Sequence, residues 1–482
     1  MISLALLALS LLLDACVRPR AGRGGLLPGR NSAGMWLHSL VIAIVFGFIL
    51  AVCGHVPASA ALALALMALF MMVSNAKRAM LGEPLVFSDL ALVGAIFKHP
   101  QFYLSALTRS QKALLVMAAP VVPALVWWLF VPSWQAHLAG LGLALAGALL
   151  IRLSLKLPAI ERLAREPDLE GDVARYGLLA TLILYRRRWR ETRDPVPVMA
   201  AQTLPHPQEL AIAIQCESFA DPVEIFGDPA LSLPGLAAAR EQAWQWGDLL
   251  VDGFGAYTMR TEYGVLFGRS EAELGFRRFD PYLTARGEGS YALPARLLAA
   301  GWRSLFVHPH DLRFYNRDEI MHAGGFAGLV GEERFAPPAP DEGRYVTDKA
   351  MAIEILDLAA KAAVPTLVFA VTIENHGPWE PHASAGSLTD GYMRLVRNSD
   401  AMLLTLRDGL AALGRPATLV FYGDHRPSIP GVSVPGAARH TPYVILRFDA
   451  GGQIVPGEGQ RVDLTPAQLH HAVLGLISGQ AG

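Results

Sequence analysis

The chain has 482 residues, enough for two or three domains, and 52% of them are hydrophobic. Its mean hydropathy of +0.34 is too high for an ordinary soluble enzyme, and the apolar excess lies in the first third of the chain. A formal net charge of −1 excludes an overall positive field for nucleic acid, and three cysteines provide neither a disulfide framework nor zinc spacing.

Apolar runs dominate the first third, at 2–17, 36–55, 58–75, 113–131 and 134–151. Most of them reach the roughly 20 residues that a helix needs to cross a bilayer. The first run is short and carries Asp14, which makes it the weakest of the five. Five such runs close together favour membrane spans over buried helices, and they predict a transmembrane domain at 1–155.

The next apolar segment, 82–97, contains Pro84 and Asp89, and we interpret it as an interfacial or re-entrant helix. A juxtamembrane amphipathic linker is predicted at 156–207. Within it, the apolar stretch 176–185 precedes three consecutive arginines, a pattern that suits a helix lying on a membrane surface.

The basic residues beside the apolar runs bear on orientation. Positive loops face the cytoplasm, so the arginines between the first two runs, and also Lys77 and Arg78, are expected there. Five spans would then leave the large C-terminal domain inside. A sixth crossing around 84–97 would place that domain outside, and the charge pattern leaves both topologies open.

From 208 to 482 the pattern alternates short strand-like runs with helical ones. The helix candidate 348–363 precedes a strand at 366–372, and the candidate 399–413 precedes a strand at 418–422. This alternation predicts an α/β domain at 208–482 with a mainly parallel central sheet.

Several of these strands end in residues that bind metals or anions. Glu217 follows one strand, the pair Asp424 and His425 follows another, and His308 and His376 follow two more. In open α/β sheets, ligands lie beyond the carboxyl ends of the strands. Because carboxylates and imidazoles bind divalent metals, the pattern predicts one metal site at one edge of the sheet.

A glycine-flanked segment, 255–264, lies between the first two of these strand ends and contains Thr258 and Thr261. A hydroxyl in such a loop becomes a nucleophile when a metal lowers its pKa. For this segment alone, an ordinary loop is the simpler interpretation.

Together, the motifs and the layout of the whole chain resemble the lipoteichoic acid synthase and phosphoglycerol transferase group of the alkaline phosphatase and sulfatase superfamily. That group has a five-helix membrane domain followed by an extracytoplasmic catalytic domain. The matching motifs, in the expected order, are Glu217, Thr258 with Glu262 and Tyr263, His308, Phe314-Tyr-Asn-Arg-Asp318, Asn375-His376 and Gly423-Asp424-His425. The chain departs from the pattern at Met259-Arg260, and also at Tyr315, where the group usually has tryptophan. These departures affect which donor and which acceptor the resemblance implies.

The resemblance implies a sulfatase-like catalytic domain with roles for eight residues. Thr258 would be the nucleophile, with Thr261 as the alternative. One divalent ion would be held by Glu217, Thr258, Asp424 and His425. Oxygen-rich ligands favour Mn²⁺ or Mg²⁺, with Zn²⁺ as an alternative. The substrate would be bound by His308, Tyr315, Arg317 and His376.

The implied activity is transfer of a phosphoglycerol head group from a phospholipid donor to an envelope glycan or glycolipid, through a phospho-threonine intermediate. The alternatives are a phosphoethanolamine transferase or a phosphodiesterase at the same site, and an inactive membrane sensor. The sulfatase signature Cys-x-Pro-x-Arg does not occur in the sequence. The implied location is the bacterial inner membrane, with the catalytic domain outside the cytoplasm. Neither a nucleic acid nor a protein partner is implied.

Overall fold

The computed structural model describes residues 2–20, 30–90, 116–117, 120–121, 124–125, 127–200, 209–339, 342–380 and 386–479. The chain divides into two compact units, Met1–Thr192 and Arg193–Gly482. The finer division into 1–155, 156–207 and 208–482 stays a prediction.

The first unit is helical. Its helices are α1 Ile2–Ala15, α2 Ser32–Cys53, α3 Val56–Leu81, α4 Trp134–Ser154, α5 Pro158–Glu161, α6 Leu169–Tyr176 and α7 Leu178–Glu191. In the part of the chain that is described, α2, α3 and α4 are long and apolar enough to cross a membrane. They coincide with the runs predicted at 36–55, 58–75 and 134–151. The predicted run 2–17 forms α1, which has only 14 residues, and parts of 113–131 lie outside the described residues.

Glycines allow α2 and α4 to pack closely. A Cβ added to Gly47 would lie 2.7 Å from the carbonyl oxygen of Gly140, and one added to Gly140 would lie 2.5 Å from the backbone nitrogen of Ala51. Small residues at such a contact let two membrane helices approach through their backbones. These glycines therefore determine how closely the two helices pack.

A buried ion pair joins α1 to the loop before α2. Arg30 Nε lies 3.1 Å from Asp14 Oδ2, and both side chains are about 5% exposed. Arg30 also donates to the carbonyl oxygen of Asp14, at 2.7 Å, and to that of Ala174, at 2.9 Å. Asp14 Oδ1 in turn accepts the backbone N–H of Leu178. The acidic residue that weakened the first apolar run is therefore a structural junction of the helical unit.

The segment after α3 is a capped turn. Residues 82–88 are not helical, and Lys77 donates to Glu83 at 3.1 Å and to Asp89 at 2.6 Å. Helix resumes at Asp89, and 91–97 lie outside the described residues. Among residues 82–88, the predicted interfacial helix is replaced by this turn, because Pro84 interrupts the helical hydrogen bonding.

The stretch predicted to lie on a membrane surface, 176–185, forms the end of α6 and the first part of α7. Leu178 and Tyr185 are fully buried within the helical unit, and the Tyr185 hydroxyl donates to Asp172 at 2.8 Å. Much of the apolar side of α7 is therefore covered by protein.

The second unit is an α/β domain, as predicted. Its strands are β1 Leu210–Cys216, β2 Gln245–Leu249, β3 Arg303–Val307, β4 Gly328–Val330, β5 Thr366–Val371, β6 Ala417–Gly423 and β7 Thr441–Phe448. Its α-helices are α8 Pro222–Phe226, α9 Pro234–Gln242, α10 Thr258–Phe267, α11 Glu271–Leu274, α12 Leu293–Leu297, α13 Arg317–Ala323, α14 Asp348–Ala360, α15 Leu388–Leu413 and α16 Pro466–Ser478.

The described strands form one sheet in the order β2-β7-β6-β1-β5-β3-β4. Strands β6, β1, β5, β3 and β4 run parallel, whereas β7 is antiparallel to β6 and to β2. The prediction of a mainly parallel sheet is confirmed. The carboxyl ends of β1, β3, β5 and β6 therefore lie at the same edge, where the candidate site residues follow them.

Both faces of the sheet are covered, which explains the continuous apolar runs of its central strands. Alternate side chains point to opposite faces. On β1, Ile212 and Ile214 pack into one core cluster, with residues of α14 and α15, while Ala211 and Ala213 pack into the other, with residues of α10 and α16.

A buried histidine in the second cluster leads to a pH prediction. His470 on α16 is 1% exposed, with Nδ1 3.0 Å from the carbonyl oxygen of Val265. Burial lowers the pKa of His470 to about 3 from the ordinary 6.5. As the pH falls, His470 therefore binds a proton in the unfolded chain before it does so in the folded chain. The contribution of neutral His470 to the free energy of unfolding is complete above pH 6.5 and is lost as the pH falls towards 3.

Below pH 6.5, we expect the free energy of unfolding to fall more steeply in the wild type than in His470→Asn, by up to about 1.4 kcal/mol per pH unit. Urea unfolding of the full chain in detergent, followed by tryptophan fluorescence between pH 7 and pH 5, measures the two slopes. Parallel slopes would contradict the prediction.

Candidate functional site

The register of two parallel strands brings three predicted metal ligands together. Cys216 of β1 pairs with Gly423 of β6, so Glu217 and the pair Asp424-His425 leave the sheet side by side. All three side chains are buried, with residue exposures of 4%, 0% and 3%. One ligand atom from each lies within 4.8 Å of the others.

The fourth predicted ligand, Thr258, lies against this group. Its Oγ1 is 3.4 Å from Glu217 Oε2 and 3.5 Å from His425 Nε2. His425 Nε2 is 3.5 Å from Glu217 Oε1 and 3.3 Å from Asp424 Oδ2. The structure therefore brings the four predicted metal-site residues into one cluster, which we call the acidic centre.

The backbone before Thr258 explains how its hydroxyl reaches the acidic centre. Thr258 is the first residue of α10, and Tyr257 before it has a φ of 79°, in the left-handed region that a tyrosine rarely adopts. The guanidinium of Arg260 lies 3.7 Å from the centre of the Tyr257 ring. The turn leaves Thr258 half-buried at a helix N-terminus, where the helix dipole favours negative charge on its oxygen.

Several features of the acidic centre fit a divalent cation. Asp424 Oδ1 accepts the backbone N–H groups of Ser218 and His425, at 2.8 Å each. Its Oδ2 is buried without a hydrogen-bond partner among the described residues. Burial and the neighbouring Glu217 carboxylate raise the pKa of Asp424 to about 7. Two buried carboxylates with one orphaned oxygen match the oxygen-rich donor set of Mn²⁺, Mg²⁺ or Zn²⁺.

Metal binding to the acidic centre predicts a stability effect that needs no activity assay. Mn²⁺ at a hundred times its dissociation constant should stabilise the chelator-treated protein by about 2.7 kcal/mol, because the ion binds only the folded state. Asp424→Asn should lose this gain. Thermal melting of the full chain, with and without Mn²⁺, measures it.

The matched control is Glu224→Gln, which alters a second acidic cluster and should keep the gain. The prediction fails if wild type shows no gain or if Asp424→Asn keeps it.

In the second acidic cluster, which contains Glu224, His440 Nε2 lies 2.7 Å from Glu224 Oε2 and 3.2 Å from Asp248 Oδ2. Arg426 pairs with Glu224 at 2.8 Å and Arg461 with Asp248 at 2.5 Å, so arginines neutralise the carboxylates.

Arg317 and His308 meet beside α10. Arg317 is 2% exposed, and its Nη2 lies 2.6 Å from Glu262 Oε2, one helical turn after Thr258. Its Nη1 donates to His308 Nε2 at 3.2 Å, and His308 Nδ1 lies 2.9 Å from the carbonyl oxygen of Val371. Burial and Arg317 hold the pKa of His308 well below 6.5. Neutral His308 therefore donates through Nδ1 and accepts through Nε2.

Three predicted motifs are thus joined, because a buried ion pair links Arg317 to Glu262 and a hydrogen bond links Arg317 to His308. Arg317 was predicted to hold phosphate oxygens, and the structure shows that most of its donors already serve Glu262 and His308. Its role toward phosphate stays a prediction.

Tyr315 and His376 are the remaining predicted substrate residues. Tyr315 is half-buried in a left-handed turn with a φ of 62°, and the Arg317 guanidinium lies 5.3 Å from its ring centre. His376 is exposed after β5, and its ring centre lies 5.8 Å from that of Tyr345. The His310 ring lies 6.5 Å from Tyr345, so a line of rings runs from His308 through His310 and Tyr345 to His376.

Two further side chains of the nucleophilic type, a hydroxyl and a thiol, are too buried to reach a substrate. Thr261, the alternative nucleophile, is 3% exposed and donates its hydroxyl to the carbonyl oxygen of Asp424 at 2.7 Å. Cys216 is fully buried, and burial raises the pKa of its thiol.

Sequence reasoning missed residues that support the acidic centre. Ser218 Oγ donates to Glu217 Oε1 at 2.9 Å, and Thr372 Oγ1 accepts the backbone N–H of Glu217 at 3.0 Å. Asn375, already predicted as part of the Asn375-His376 motif, donates through Nδ2 to the carbonyl oxygen of Ser218 at 3.3 Å. Ser218 and Thr372 lie next to strand ends that the sequence predicted, and only this proximity could have indicated that they support the acidic centre. Nothing in the sequence pointed to Tyr345.

The sulfatase family profile matches residues 210–474, which contain every predicted site residue. The capsular polysaccharide biosynthesis protein RkpI of Rhizobium meliloti is 32% identical over 433 residues, covering 84% of this chain and 80% of RkpI. Phosphoethanolamine transferase A (EptA) of Neisseria meningitidis, an integral membrane protein named for lipooligosaccharide, matches with a TM-score of 0.56 at 13% identity, over 99% of this chain and 95% of EptA. The phosphoglycerol transferase GacH of Streptococcus pyogenes matches with a TM-score of 0.45 at 18% identity, over 57% of this chain and 77% of that chain. The predicted resemblance is confirmed at the level of the family, and the chain belongs to the sulfatase family, with helices long and apolar enough to cross a membrane before its α/β unit.

Proposed function

We propose that this chain is a membrane-anchored, metal-dependent transferase that moves a phosphoglycerol head group from a phospholipid to an envelope glycan or glycolipid. The observation that carries the proposal is the hydroxyl of Thr258, held at a helix N-terminus within 3.5 Å of Glu217 and His425. When bound, a divalent ion would lower the pKa of this hydroxyl and neutralise charge on the phosphoryl oxygens.

In the first half-reaction, Thr258 Oγ1 attacks the phosphorus of the donor. Its proton passes to Glu217 Oε2, the acceptor 3.4 Å away. A Thr258–phosphorus bond forms, the bond from phosphorus to the diacylglycerol oxygen breaks, and diacylglycerol leaves with a proton from His376. In the second half-reaction, an acceptor hydroxyl gives its proton to His376 and attacks the phosphorus. The bond from phosphorus to Thr258 Oγ1 breaks, and Thr258 Oγ1 takes back its proton from Glu217.

Names of relatives support a glycan acceptor. One relative, RkpI, is 32% identical to this chain over 433 residues and is named for capsular polysaccharide biosynthesis. The apolar helices α2, α3 and α4 support access to a lipid donor. We infer a location in the bacterial inner membrane with the catalytic unit outside the cytoplasm, where envelope glycans are available.

A phosphoethanolamine donor is the second candidate. The fold match to EptA over nearly the whole chain is the observation that favours it. Thr258 and the acidic centre act on phosphorus in either case, so the choice depends on groups that touch the head group, among them Tyr315 and His376.

Product analysis separates these activities. The full chain in detergent is incubated with phosphatidylglycerol or phosphatidylethanolamine, each labelled in the head group, and with Mn²⁺ and bacterial envelope glycan. Label in glycan from phosphatidylglycerol alone supports the proposal. Label from phosphatidylethanolamine alone supports the second candidate, and free labelled head group without labelled glycan indicates a phosphodiesterase.

A further inference from the structure

A cavity of about 290 Å³ opens beside His376, outside the acidic centre. Its wall includes the aromatic rings of Tyr345 and Trp379 and the guanidinium groups of Arg344 and Arg394. The volume lies just below the roughly 300–1,000 Å³ range of small-molecule pockets, which suits a small ligand such as one sugar residue.

The two arginines of this cavity have donors to spare. Among the described residues, neither side chain forms a hydrogen bond or an ion pair, and Arg394 Nε is buried without a partner. Arg344 only places its guanidinium 5.0 Å from the ring centre of neighbouring Tyr345. Arg394 Nη2 lies 4.0 Å from the position of a Cβ on Gly343, which also lines the cavity.

The carboxylates of the same wall are largely occupied. Glu374 accepts the backbone N–H of Asp348 at 2.7 Å and the amide of Asn398 at 2.8 Å, and Glu342 accepts the N–H of Ala339 at 2.8 Å. Glu380 is exposed and also lines the cavity. The unmet hydrogen-bonding groups are therefore the guanidinium donors of Arg344 and Arg394 and the exposed Glu380 carboxylate, and the guanidinium donors pair with anionic or oxygen-rich ligand groups.

Tyr345 connects this cavity to the acidic centre. Its ring lies 5.8 Å from His376, and burial together with the charge of Glu217 raises the pKa of its hydroxyl. A ligand in the cavity would thus lie beside the histidine to which the proposed mechanism assigns proton transfer from the acceptor hydroxyl. Aromatic walls combined with convergent polar groups are what a sugar ring requires, since it has both apolar faces and hydroxyl edges.

We propose that this cavity binds the sugar residue that accepts the phosphoryl group, and that this sugar carries an anionic substituent held by Arg394 and Arg344. The inference rests on the proposed transferase function and specifies its acceptor as an acidic glycan.

Binding of methyl β-glucuronide to the full chain in detergent tests the cavity, with neutral methyl β-glucoside as the comparison. We expect saturation-transfer NMR to show that the glucuronide binds at least tenfold more tightly than the glucoside. Arg394→Gln should weaken glucuronide binding at least tenfold, and Arg344→Gln provides a second variant at an exposed position. The matched control, Arg303→Gln, removes an exposed arginine from the opposite end of β3 and should change nothing.

Three results would overturn the inference. The first is that the wild type does not bind the glucuronide. The second is that Arg394→Gln and Arg344→Gln both bind the glucuronide as tightly as the wild type does. The third is that Arg394→Gln weakens binding of glycerol 1-phosphate as much as that of the glucuronide, which would assign the cavity to the donor head group. Failure of the proposed function is a separate observation: Thr258 would acquire no adduct from any lipid, while glucuronide binding still depended on Arg394.

Discussion

Replacing Thr258 with alanine should lower kcat/KM for head-group transfer by at least about a thousandfold, because the variant lacks the oxygen that forms the covalent intermediate. The backbone of α10 does not depend on this side chain, since Gln215 donates to the carbonyl oxygen of Thr258 and not to its hydroxyl. Transfer of labelled head group measures the loss, and an unchanged melting temperature shows that the fold is kept.

Two further threonine variants make this result specific. Thr258→Ser keeps a hydroxyl at the same atom and should retain measurable transfer. Thr261→Val removes a buried hydrogen bond to Asp424, costs about 1–2 kcal/mol of stability and should leave activity within about tenfold of wild type. If Thr258→Ala were active and Thr261→Val inactive, the nucleophile would be Thr261.

Breaking the ion pair between Glu262 and Arg317 should have the largest effect on stability. Glu262 is fully buried and Arg317 is 2% exposed, so Glu262→Gln leaves a buried guanidinium without its counter-charge. The expected cost is about 3 kcal/mol in the free energy of unfolding. Urea unfolding of the full chain in detergent measures this cost.

A double-mutant cycle tests whether this cost belongs to the pair. Because Arg317→Met removes the cation that Glu262→Gln would leave unpaired, the double variant should lose less stability than the two single variants together. Arg286 and Glu319 form the control pair, at 2.7 Å and with side chains 67% and 56% exposed, so its disruption should cost less than about 1 kcal/mol. Strictly additive losses at Glu262 and Arg317 would contradict the account.

The positions of the acidic centre were predictable because a parallel sheet puts strand ends at one edge. An apolar run ending in Glu217 and another ending in Asp424-His425 are local signals, and the pairing of β1 with β6 then makes them neighbours. The spacing of the sequence could not decide which of Thr258 and Thr261 has its hydroxyl at the acidic centre. It depends on the turn at Tyr257, which directs one hydroxyl to the acidic centre and leaves the other against the backbone of Asp424.

Pairings between distant segments could not be derived from the sequence. Glu262 and Arg317 are far apart in sequence, and either residue read alone could equally be a substrate contact or a surface charge. The same holds in the helical unit, where Arg30 was counted with the loop charges that orient the membrane domain. Its burial against Asp14 shows that it stabilises the helices, so one charge in that count has a structural role.

Mass spectrometry of the full chain after incubation with phosphatidylglycerol and Mn²⁺ tests the central claim most directly. The account predicts a mass gain of one glycerophosphate ester on the peptide that contains Thr258, absent in Thr258→Ala and absent when the metal is chelated. An adduct on another residue, or an adduct that persists in Thr258→Ala, would contradict it.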